Sequence, residues 1–88
     1  MTDNASDLAT RAMEIARTMH RLLHGHPPEI QGAVLADLLA TWLAGHPPVM
    51  REAVLQAHIE QMRPLIEINE DIMFGGQGHP AQYAGHKP

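Results

Sequence analysis

The chain has 88 residues and a mass of 9.7 kDa, too short to divide its apolar residues between two stable cores, so one domain is expected. Six Lys and Arg stand against ten Asp and Glu, a formal charge of -4 with an isoelectric point of about 5.9. This balance lacks the basic field that phosphate backbones and anionic lipids require. Cys is absent and aromatics make up 3%, which excludes a disulfide framework, a zinc ribbon and a thiol nucleophile, while a 44% hydrophobic content is enough for folding.

In chain order, Leu8, Ala12, Ile15, Met19 and Leu22 fall at spacings of four and three and form one stripe on a helix predicted over residues 5–24. Asn4 is placed to cap it, Asp7 complements the positive end of its dipole, and Asp7 with Arg11 forms an exposed i,i+4 pair. Gly25-His26-Pro27-Pro28 then follows, and it returns as Gly45-His46-Pro47-Pro48 at a spacing of 20. Gly favours the position just past a helix end and Pro the first turn of the next, so each copy is expected to close one helix and open another. Ala33-Val34-Leu35 and Ala53-Val54-Leu55 repeat at the same spacing, which suggests two related hairpin units.

The second helix is predicted over 27–44. Ile30, Val34, Leu38 and Thr41 lie on one line with Leu35, Leu39, Trp42 and Leu43 beside it, a face wide enough for the central helix of a bundle, with the single Trp as its anchor. The third is predicted over 47–73, with Leu55, Ile59, Met62 and Ile66 on one stripe and Val54, Leu65, Ile68 and Ile72 alongside. Pro64 removes one hydrogen bond and crowds the preceding turn, so this helix is expected to kink or break there. Gly75-Gly76 stops the pattern, and residues 75–88 lack any apolar period, which predicts a flexible tail after a helical domain over 1–74. The fold class is therefore all-α, a three-helix antiparallel bundle.

At about 1.5 Å per residue, the third helix would be roughly 40 Å long against roughly 30 Å and 27 Å for the others, and would overhang them. Its end carries Leu65, Ile66, Ile68, Ile72, Met73 and Phe74, more apolar surface than belongs in water. Leu55, His58, Met62, Leu65, Asn69 and Ile72 occupy successive a and d heptad positions, and a single Asn in such a seam sets register. A two-fold homodimer is expected, with Leu55, His58, Met62, Leu65, Ile66, Asn69, Ile72 and Met73 as its interface.

Seven His are the oddity of the composition. His20 and His24 lie four apart on one helical face, the spacing by which two imidazoles hold a transition metal, and His26 follows the turn. No HExxH is present, since Arg21, Leu22 and Leu23 stand between the two, and helix-terminus duty accounts for the same residues, so no metal ligand is assigned. His58, on the apolar side of the third helix, is expected to be a hydrogen-bonded core residue; His79 and His86 fall in the tail. Ser6, Thr18, Thr41 and Tyr83 have no visible base partner, and a bundle this small leaves little room for a catalytic pocket. Glu67, Glu70 and Asp71 form a solvated acidic face, alternatively a docking site for a basic partner. A recognition helix would need more cations than Arg51 and Arg63.

The longest apolar stretch, 33–44, is interrupted by Asp37 and Thr41 and is too short to cross a bilayer. Asp3 and Asp7 stand where a signal peptide would be basic, so a cytoplasmic location is expected. The function expected is that of a small non-enzymatic helical interaction or regulatory module, without a cofactor. It would act as a homodimer, partner another protein, and bind neither nucleic acid nor membrane. A histidine-based transition-metal protein is the alternative.

Overall fold

A computed structural model describes residues 4–81, and among them every regular element is helical, with no strand. The order is α1 (Ala5–Leu23), α2 (Pro28–Ala44), a 3-10 turn (Pro48–Met50) and α3 (Arg51–Phe74). No helix among the described residues is long and apolar enough to cross a membrane. The chain divides inside α2 into two units, Met1–Ala40 and Thr41–Pro88. The tail expected over 75–88 falls in part, at residues 82–88, outside the described residues.

Helix α1 starts as its residues dictate. Asn4 is extended, and its side-chain oxygen accepts the Asp7 N–H at 2.8 Å, satisfying one of the four donors that a helix start leaves unpaired. At the other end the His24 N–H donates to the His20 carbonyl. Gly25 then reverses the chain at φ 85°, and the His26 N–H donates to Leu23. Pro27 accepts from both Ile30 and Gln31, so the first backbone bonds of α2 close on a proline carbonyl.

The spacing of 20 is structural as well as sequential. His46 donates its N–H to Leu43 as His26 does to Leu23, and Met50 donates to Pro47 as Ile30 does to Pro27. One step differs. Gly45 does not take a positive φ; its N–H is shared between the Thr41 and Trp42 carbonyls at 3.2 and 3.3 Å. After the second corner the chain makes a 3-10 turn before α3 begins at Arg51, four residues later than the Pro47 start expected from the sequence. Consecutive prolines supply no N–H to an α-helical first turn, and the i+3 bond from Met50 to Pro47 closes a tighter one.

Pro64 does not break α3, which continues from Arg51 to Phe74 as one helix with Pro64 inside it. The bond that proline removes would have ended on the Glu60 carbonyl, and Glu60 and Pro64 are both exposed, so water can take the freed acceptor. The Glu60 carboxylate also faces the Arg63 guanidinium at 3.7 Å, one turn along the same stretch. Gly75 ends the helix in the left-handed conformation at φ 63°. Its N–H and that of Gly76 both return to the Asp71 carbonyl, satisfying one acceptor of the last turn.

The apolar stripes do not meet as an enclosed core: none of the described side chains is buried. Trp42, expected to anchor a core, is 46% exposed, and His58 is half-buried. Helix α1 is sharply amphipathic, whereas α2 has only Glu29, Gln31, Asp37 and Thr41 as polar side chains in 17 residues.

The two glycines of the repeat should respond differently to the same change. At Gly25 a Cβ meets no atom but would sit at φ 85°, so Gly25→Ala is expected to cost about 1 kcal/mol. At Gly45 the backbone is ordinary and a Cβ would lie 3.4 Å from the Trp42 carbonyl oxygen. There Gly45→Ala should be neutral or stabilise by up to about 1 kcal/mol through the unfolded chain. Urea denaturation of the two variants beside the wild type measures the difference.

Candidate interaction surface

The residues expected to form an interface divide into two groups along α3. Leu55 and His58 lie in its first half and are half-buried. Met62, Leu65, Ile66, Asn69, Ile72 and Met73 lie further on and are all exposed, with Ile72 at 75% and Met73 at 71%.

His58 of the first group reaches the corner between α2 and α3. The Trp42 indole lies with its centroid 5.0 Å from the His46 ring, edge to face at 79°, and 5.1 Å from the His58 ring at 52°. Both are favourable aromatic distances. His46 Nδ1 is 2.9 Å from the Trp42 carbonyl oxygen. A carbonyl only accepts, so Nδ1 carries the hydrogen. Arg51 completes the corner: its Nε donates to the carbonyls of Leu43 and His46, each at 3.1 Å, and its Nη2 to that of Ala44 at 3.0 Å. Its cation thus stands at the negative end of the α2 dipole, on the carbonyls that the helix end leaves open. His58, expected to be a hydrogen-bonded core residue, instead contributes a ring contact from the first half of α3.

Of the second group, Ile66, Asn69 and Met73 border the C-terminal turn. The His79 backbone N–H donates to Glu70 Oε1 at 2.6 Å, and the His79 ring meets Phe74 edge to face at 5.1 Å. The Ala81 N–H donates to His79 Nδ1 at 2.9 Å, which requires that nitrogen to be free of hydrogen. A shallow cleft of about 440 Å³ results, lined by Ile66, Asn69, Glu70, Met73, Phe74 and His79. Its apolar walls carry one carboxylate, already engaged by a backbone donor. Of the acidic face, Glu67 and Asp71 are exposed and Glu70 is half-buried beneath the turn.

The histidines of the first hairpin are not drawn together. His20 lines a smaller cleft of about 180 Å³ with Ala16, Met19, Leu23 and Leu35, while His24 caps α1 and His26 follows the turn. Among the described residues, no three His, Cys, Asp or Glu side chains come close enough to hold a metal ion.

Two contributors escaped the sequence reading. Gln31 Nε2 donates to the Leu23 carbonyl at 2.9 Å, and Arg51 makes the corresponding bond to Leu43. Each donor lies eight residues beyond its acceptor, and the pairs are 20 residues apart, so carrying the repeat beyond its glycine and prolines would have aligned them. The Glu70 to His79 turn had no comparable signal, because a bond from a backbone N–H leaves no periodic mark.

Compared with known proteins, the chain matches no family model, no curated sequence and no solved structure.

The ring contact at the second corner should be measurable as a coupling. A double-mutant cycle with Trp42→Leu and His58→Leu is expected to give about 0.5 to 1 kcal/mol between the two positions in thermal or urea unfolding. Strict additivity would place the two rings outside contact in solution.

Proposed function

We propose that the protein is a small non-enzymatic helical interaction module that acts as a homodimer through α3. The observation carrying this reading is the exposure of apolar surface with no buried side chain among the described residues to balance it. Leu65, Ile66, Ile68, Ile72 and Met73 are all uncovered, and covering a side chain of this kind is worth about 1.5 to 3 kcal/mol. Helix α2 adds to the demand, because a helix apolar around most of its circumference requires cover on several sides.

In this reading the three helices pack as an antiparallel bundle, the residues of 1–74 act as one domain, and the α3 seams of two copies meet. Leu55, Met62, Leu65 and Ile72 supply the apolar positions, and Asn69 sets the register. Ile66 and Met73 extend the contact to the neighbouring line. Glu67 and Asp71 stay outside the joint as a docking face for a basic partner protein. An acidic chain without cysteine suits the reducing cytoplasm, and no catalytic role is assigned to any side chain.

Light scattering across a concentration series tests the reading. The wild type should have twice the 9.7 kDa chain mass. Leu65→Asp and Ile72→Asp should each weaken association by about tenfold or more, the scale of losing one buried aliphatic contact. A monomeric wild type at the highest concentration, with both variants folded and equally monomeric, would overturn it.

A further inference from the structure

The two Gly-His-Pro-Pro corners share one hydrogen-bond plan but are fastened unequally. At the first, the side chain at the clasp position is Gln31, a neutral amide that reaches a single carbonyl, Leu23. At the second it is Arg51, a guanidinium that reaches three, Leu43, Ala44 and His46. The second corner is also held by the His46 ring bond to Trp42 and by the two ring contacts of the indole. The first corner has none of these, and it turns through a glycine at positive φ where the second does not.

We infer that the first corner is a hinge and the second a latch, with the residue at the clasp position deciding which. Arg presents several donors in a planar fork and its bonds to the α2 carbonyls are assisted by charge, whereas Gln presents one amide group without charge. Within the first unit, α1 therefore swings away from the start of α2 more readily than α3 leaves the end of α2. The swing breaks one side-chain bond and opens the cleft lined by Ala16, Met19, Leu23 and Leu35. The ordinary closed state at that corner is held by the Gln31 clasp. The inference does not depend on the dimer, because it compares two corners of one chain.

The sequence supplies its own control. The amides of His26 and His46 sit in identical Gly-His-Pro-Pro contexts and donate to equivalent carbonyls, Leu23 and Leu43. Their unprotected exchange rates should therefore match, and a measured difference reports opening. Hydrogen exchange of the full chain by NMR should show the His26 amide exchanging about tenfold faster than His46, the scale set by one or two net hydrogen bonds. Gln31→Arg should slow His26 toward the His46 rate, and Arg51→Gln should quicken His46 toward the His26 rate. The Gln31→Arg variant adds a clasp, so its outcome does not rest on a destabilised chain. Equal rates for the two amides in the wild type, or a His26 rate unmoved by Gln31→Arg, would overturn the inference.

Discussion

The structure depends on how the carbonyls at a helix end are satisfied when the following residues are prolines. A helix leaves its last four acceptors open, and a Pro-Pro segment brings no donors to them. Gly-His-Pro-Pro meets this shortage twice. The His backbone N–H closes one carbonyl, and the clasp side chain eight residues beyond that carbonyl reaches back to the same oxygen. The proline carbonyl then accepts the first bond of the next element. The direction of the chain after α1 and after α2 follows from these local bonds before any distant packing is considered.

Arg51 and Gln31 show how one position in such a corner changes its character. Arg51 places a cation on the negative end of α2, where charge and hydrogen bonding act together. Gln31 contributes only a neutral bond at the end of α1. The aromatic contacts accumulate on the side of the stronger clasp, since Trp42 precedes the second corner and His46 and His58 approach its ring. Backbone capping and side-chain packing thus reinforce each other at one corner and are nearly separate at the other.

The exposed apolar surface is the second organising fact. Amphipathic α1 has a polar face to present to water, but α2 has few polar residues on any side, and the second half of α3 alternates apolar groups with Glu67, Glu70 and Asp71. Under the proposed association, the apolar groups gain from cover while the carboxylates remain solvated. The proposed homodimer assigns that cover to a second copy of α3.

Helix number, order and most boundaries were legible in the sequence, because they rest on interactions within a few residues. The stripe at spacings of three and four, the Asn4 cap, the glycine stop at Gly75 and the repeated corner all act over at most a turn or two. The start of α3 was displaced to Arg51 since two prolines select a 3-10 turn, and Pro64 left the helix whole because its freed carbonyl lies at an exposed position. The tertiary structure alone decided the reach of Arg51 to three carbonyls, the placing of His46 and His58 beside Trp42, and the return of His79 to Glu70. These contacts join residues brought near by chain reversals, and their distances depend on turn geometry that a one-dimensional pattern of polar and apolar residues does not encode.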